Sequence, residues 1–164
     1  MSGRPGPMDV PDDEPRGRWF DELEVGRTYR HRPHRTVTES DNVQFTTMTM
    51  NAQSLHLDAD YASRTEFGRP LVNSLYTLSL VVGLSVADMT ERTTVANLGF
   101  GEIRFPRPVF HGDTIAASTT VIAKRLSSTR PEQGIVEFEH VGRNQDGEEV
   151  CVARRSALIW TAPA

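Results

Sequence analysis

Leu71-Val72-Asn73-Ser74-Leu75-Tyr76-Thr77-Leu78-Ser79-Leu80-Val81-Val82-Gly83-Leu84-Ser85-Val86-Ala87 is the most apolar stretch of the chain. Its leucines and valines fall at nearly every angle of a helical wheel, so a helix here must be covered by protein on most sides. Asn73, Ser74, Thr77, Ser79, Gly83 and Ser85 interrupt the run, which makes it too polar to cross a membrane. Pro70 suits a first helical position, and the predicted helix runs from Pro70 to about Ala87.

Downstream the pattern changes to strands: Thr93 to Phe105, Thr114 to Leu126, Gly134 to Arg143 and Val150 to Trp160. The first changes its alternation near Gly99 and Gly101, which predicts a bulge. Asp146-Gly147 predicts a tight hairpin between the last two. Upstream, Tyr29 to Val37 reads as extended and irregular at Pro33. Thr38 reads as a helix N-cap, with Asp41 in the place of a capping-box acid. That helix fails before Asn51. Residues Asn51 to Asp58 read as a loop and Asp60 to Ser63 as a short turn. The simplest α+β arrangement is an antiparallel meander curved round the long helix.

The chain has 164 residues with 37% hydrophobic and 24% charged, which suits one globular domain able to build its own core. Residues Met1 to Gly17 hold four prolines among acidic residues and read as a disordered tail, leaving 18–164 as the domain. No secretory signal is visible. The net charge of -4 gives no reason to expect nucleic acid or an anionic membrane as partner. The single cysteine, Cys151, excludes an internal disulfide framework and fits a reducing compartment, here the cytoplasm.

Common catalytic motifs are absent. No Gly-x-Ser-x-Gly elbow occurs, and Gly99-Phe100-Gly101 lacks the third glycine of a dinucleotide fingerprint. His31 and His34 lie among Arg30, Arg32 and Arg35 without a cysteine or carboxylate, so a solvated basic segment is the reading and no metal is expected. Asn51-Ala52-Gln53-Ser54-Leu55-His56-Leu57-Asp58 gathers amides and an imidazole between two helices. Loops held by rigid elements are where reactive groups concentrate, yet a histidine between two leucines is also an ordinary hydrogen-bonded structural residue. The residues alone leave both readings open.

Three segments narrow the choice. Leu55-His56-Leu57-Asp58, Phe67-Gly68-Arg69-Pro70-Leu71-Val72 and Phe105-Pro106-Arg107-Pro108-Val109-Phe110-His111-Gly112-Asp113-Thr114-Ile115 together resemble the MaoC-like dehydratases, the (R)-specific enoyl-CoA hydratases of the hot-dog fold. The resemblance covers most of Phe45 to Ile115. It implies a curved antiparallel sheet round a central helix, and a homodimer or higher oligomer of dimers. It also implies an acyl-CoA substrate, no cofactor, and hydration of a 2-enoyl-CoA to a 3-hydroxyacyl-CoA.

By that resemblance His56 is the general base, and a backbone N–H at the helix start, that of Ser74, receives the enolate oxygen. Gln53, Asn73, Arg104 and Arg107 would meet the substrate, with Arg125 another candidate for the CoA phosphates. The chain departs from the family where Asn51 replaces the catalytic Asp, Gln53-Ser54 replaces Asn-Pro, and Asn73-Ser74 replaces His-Gly. A neutral Asn51 cannot act as a base but can orient a water. The polar changes point to a short branched or dicarboxylic acyl group of mesaconyl type. The same fold also serves acyl-CoA thioesterases and non-catalytic acyl-CoA-binding proteins, which are the alternatives.

Overall fold

The computed structural model describes residues 14–163. The elements are β1 (Thr28–Arg30), β2 (Arg35–Thr36), α1 (Glu39–Met48), α2 (Ser54–Leu57), α3 (Ala59–Ser63), α4 (Ser74–Met89), β3 (Thr94–Arg104), β4 (Thr114–Leu126), β5 (Gln133–Arg143) and β6 (Glu149–Trp160). A 3-10 turn at Phe20–Glu22 precedes β1. Of the expected tail, residues 1–13 lie outside the described residues. Within Glu14 to Gly17, the Gly17 N–H donates to the Glu91 carbonyl and Glu14 pairs with Arg92.

All strand pairs are antiparallel, in the order β1-β4-β5-β6-β3, with β2 also on β4. The expected four-strand meander holds only for β4-β5-β6. β3 lies beyond β6 instead of beside β4. The reason lies in the connections. Asp146-Gly147 closes a tight turn, with Gly147 at φ +79°, where a side chain would be strained. Residues 105–113 hold Pro106 and Pro108, which favour extended backbone over a hairpin, and the segment crosses to the far side of the sheet. The bulge expected near Gly99 and Gly101 is present: the β3–β6 register shifts between Asn97 and Gly99 and again between Phe100 and Ile103.

The long helix begins later than expected. Pro70 is outside it, and α4 starts at Ser74 with Asn73 as N-cap. Residues 71 and 72 use their backbone for tertiary contacts. The Leu71 N–H donates to Leu55 and the Val72 N–H to Val109, at 3.1 and 2.9 Å, and Leu71 bridges Phe110. The Asn73 side chain then accepts the Leu75 N–H at 3.0 Å, a cap that Pro70 lacks. The segment expected as loop and turn contains the short helices α2 and α3, and Asp58 caps the second by accepting the Tyr61 N–H at 2.9 Å. Thr38 and Asp41 form the capping box of α1.

Thr77, Leu78, Val81, Ser85 and Met89 of α4 are buried against the sheet. The close approach depends on Gly142, where an added Cβ would stand 2.4 Å from a Val81 methyl. Two apolar clusters result. One joins Val37, Leu78, Val81, Ile115, Ala117, Cys151 and Ala153; the other joins Phe20, Leu23, Met89, Val121, Phe138 and Ile159. Thr119, His140 and Arg155 are buried between them. Within one chain α4 is not enclosed on most sides as expected, since Leu75 is 55% exposed.

Candidate active site

The N-terminal end of α4 faces a cavity of about 360 Å³, lined by His56, Leu71, Ser74, Thr77, Arg107, Val109 and neighbouring apolar side chains. The connection that carries β3 across the sheet supplies Phe105, Pro106, Pro108 and Val109, so the topology builds one wall of the cavity.

His56 sits at the end of α2 and is half-buried. Its Nδ1 lies 3.0 Å from the Leu71 carbonyl oxygen. A carbonyl only accepts, so Nδ1 carries the proton and Nε2 keeps the lone pair. Among the described residues no Asp or Glu lines the cavity, and Arg107, whose Nε pairs with Glu148 at 3.2 Å, is the one other ionisable side chain there.

Ser74 is the first residue of α4. Asn73 spends its side-chain oxygen on the Leu75 N–H, and the Ser74 N–H has no acceptor among the described residues. It stands at the positive end of the helix dipole, where developing negative charge is favoured.

The other expected residues are placed apart from this pair. Asn51 is half-buried, accepts the Gln53 N–H at 3.1 Å, and is not among the lining residues. Gln53 is exposed and precedes α2. Asn73 is 2% exposed and serves as a cap, with its amide donating to Thr46 at 3.3 Å. Arg104 is exposed and pairs with Glu102 at 3.1 Å. Arg107 alone of the expected substrate contacts reaches the cavity. A smaller neighbouring cavity of about 240 Å³ shares Arg107 and Pro108 and adds Arg69, whose guanidinium lies 3.9 Å from the Phe110 ring centre.

Sequence reasoning missed Asn42, which is wholly buried and contacts the His56 segment. The available signal was a polar pair, Asn42 and Thr46, one turn apart on a helix that must bury a face. Nearby, hydrogen bonds from Thr38 and Arg35 hold the Asp41 carboxyl below its ordinary value, which keeps the cap of α1 ionised. Burial, helped by Asp41, pushes the Tyr76 phenol up; its ring packs edge-on to Phe45 at 5.6 Å. Among the described residues no group of three His, Cys, Asp or Glu is placed to hold a metal, and no helix is long and apolar enough to cross a membrane.

Comparison with known proteins agrees with this architecture. The mesaconyl-CoA hydratase of Haloarcula marismortui is 30% identical over 93% of this chain and 42% of its own length. A structure described as a MaoC domain protein dehydratase from Chloroflexus aurantiacus superposes with a TM-score of 0.85 at 29% identity, covering 93% of this chain and 44% of that one. A Mycobacterium tuberculosis protein described as a double hot-dog fold gives a TM-score of 0.80 at 24% identity, over 90% of this chain and 45% of that one, a likeness of fold alone. The chain thus spans about two-fifths of the length of the curated relatives it matches first. Residues 21–144 match the MaoC like domain, and the chain belongs to that family of hot-dog dehydratases.

Proposed function

We propose that this hot-dog unit catalyses reversible hydration of a 2-enoyl-CoA to a 3-hydroxyacyl-CoA. The observation that carries the reading is the pairing, on one cavity, of an imidazole with its Nε2 lone pair free and an unclaimed helix N-terminal N–H. In the forward direction His56 Nε2 takes a proton from water as its oxygen bonds C3. Electrons move through the conjugated system onto the thioester oxygen, which the Ser74 N–H receives. His56 then returns the proton to C2, so the net change is addition of H and OH. Asn51 lies five residues before His56, so orienting the water is a secondary role proposed for it.

The acyl group we assign is a short dicarboxylate of mesaconyl type. The similarity to a mesaconyl-CoA hydratase and the guanidinium of Arg107, on a cavity that no carboxylate lines among the described residues, support that class. Arg69 and Arg107 are the cations nearest for an anionic end of the substrate. Two copies joined by their β3 edges would cover Leu98 and Phe100, which are 50% and 38% exposed, so a homodimer is the assembly proposed. A CoA thioester and a lone unpaired thiol suit a cytoplasmic enzyme.

The test is a panel of enoyl-CoAs followed by loss of conjugated thioester absorbance beside a free-thiol reagent. Hydration of mesaconyl-CoA without thiol release is expected. Release of CoA would replace the reading with thioester hydrolysis, and binding without either change would leave a non-catalytic acyl-CoA protein.

A further inference from the structure

Asn42 lies inside α1 and is wholly buried. Its amide nitrogen is 3.2 Å from the His56 carbonyl oxygen, 3.0 Å from the Leu71 carbonyl oxygen and 3.0 Å from His111 Nε2. Its own carbonyl accepts the Asn73 backbone N–H at 2.8 Å and the Thr46 hydroxyl at 3.4 Å. Chemistry fixes which end is which. A flipped amide would set oxygen against two carbonyl oxygens and an NH2 against an N–H. One side chain therefore ties α1 to the His56 segment, to the entry into α4 and to the turn at His111.

The Leu71 carbonyl is the pivot of this network. It accepts from His56 Nδ1 and from Asn42 Nδ2, each at 3.0 Å, so both lone pairs are engaged and its direction is held from two sides. The bond from the Asn73 N–H acts on the other reacting group, because Asn73 caps α4 and immediately precedes Ser74. Nothing about the hydrogen-bond needs of a buried amide requires it to meet both the base and the cap.

We propose that Asn42 is a positioning residue that keeps base and oxyanion donor in register, through the Leu71 carbonyl for the His56 tautomer and through Asn73 for the Ser74 N–H. The roles of His56 and Ser74 rest on the hydration reading above. Asn42 itself is not among the residues lining the cavity. Groups that orient a reactive histidine from behind typically change its performance about 10- to 100-fold when lost.

Two measurements test this. In ¹⁵N-histidine spectra of the unliganded wild-type protein, taken where the ring is neutral, His56 is expected as the Nδ1–H tautomer. Asn42→Ala should shift it to a mixture of tautomers. In turnover, Asn42→Asp keeps an acceptor for the Asn73 N–H and loses both donors. It should lower kcat about 10- to 100-fold and change KM less than about 3-fold. Made in a His56→Ala background, the same change should alter residual turnover less than about 2-fold, since no imidazole remains to be positioned. An Nε2–H tautomer in the wild type, or equal losses from Asn42→Asp with and without His56, overturns the proposal. If Asn42→Ala does not fold, the wild-type tautomer and the Asn42→Asp cycle decide it. A protein inactive on every enoyl-CoA, whose His56 still changes tautomer with Asn42→Ala, would sink the hydration reading and support the positioning.

Discussion

Each end of α4 sets a hydrogen-bonded histidine beside buried polar side chains. At the N-terminal end, Asn42, Thr46 and Asn73 form a buried polar network that orients His56, and the network opens on a cavity of about 360 Å³. At the C-terminal end, Asp88 lies 3.0 Å from His31 Nδ1, His31 Nε2 lies 2.7 Å from the Thr119 hydroxyl, and Thr119 lies 2.8 Å from His140 Nδ1. With His31 neutral and its Nδ1–H donated to the carboxylate, the Thr119 hydroxyl donates to His31 Nε2 and accepts from His140 Nδ1–H. His140 Nε2 is left with a lone pair, as His56 Nε2 is. It is wholly buried and has no hydrogen-bond partner among the described residues. Burial first, then the charge of Arg155, lowers the His140 pKa to about 3, so the ring stays neutral. A hydrogen-bonded imidazole is therefore common to both ends; His56 lines a cavity with its Nε2 free, whereas His140 is wholly enclosed.

Substitutions at the two ends should separate these roles. The largest effect is expected from Ser74→Pro, which deletes the candidate oxyanion donor at a position where proline suits the helix; Asn73 before it is already extended, at ψ 124°. We expect kcat to fall about 100- to 1,000-fold with helical circular dichroism retained, while Ser74→Ala stays near wild type. A fully active Ser74→Pro protein would mean that the helix end is not where charge develops.

Next in size is Thr119→Val at the C-terminal end. It leaves His31 Nε2 and His140 Nδ1 without their shared partner. Urea unfolding should show a loss of about 1–3 kcal/mol, with kcat per folded molecule unchanged. A large fall in kcat would break the distinction between the two ends.

His140 gives a smaller, pH-dependent effect. Its folded pKa lies near 3 against an ordinary 6.5, so between these values the unfolded chain binds a proton that the folded one refuses. Stability contributed by this site is full above about pH 6.5 and falls as pH drops, by at most about 1.4 kcal/mol per pH unit. Comparing unfolding free energies of the wild type and His140→Gln from pH 7 to pH 4 should show the steeper slope in the wild type. The smallest change is expected for Asn51→Asp. The carboxylate can still accept the Gln53 N–H, so kcat should stay within about 3-fold of wild type in steady-state assays.

The sheet was legible because alternation is a local signal. Thr114 to Leu126 matches β4 at both ends, and Val150 to Trp160 misses only Glu149. The capping box at Thr38 and Asp41 was legible for the same reason. The start of α4 was not, since Pro70 offers a sound local signal that long-range bonds from residues 71 and 72 override. The position of β3 depends on what residues 105–113 do in space, which no short window contains. At the site, family resemblance brought His56 and Ser74 to notice, whereas composition left His56 undecided. The Asn42–Thr46 spacing hinted at a buried polar pair, but what Asn42 binds was not legible, because its partners at His56, Leu71, Asn73 and His111 are 14 to 69 residues away.

Cys151 gives the molecule a built-in gauge of its own breathing. The sulfur lies on β6, wholly enclosed beside Gly142 and under Val81, and burial raises its pKa to about 11. A thiol so placed is neither ionised at neutral pH nor reachable by an alkylating reagent while the strand is paired. With no other cysteine in the chain, the rate of labelling counts openings of the central sheet alone. Any ligand that seats itself at the helix N-terminus will register as a slower label at a buried thiol that does not line its cavity, because occupancy makes the opened state rarer.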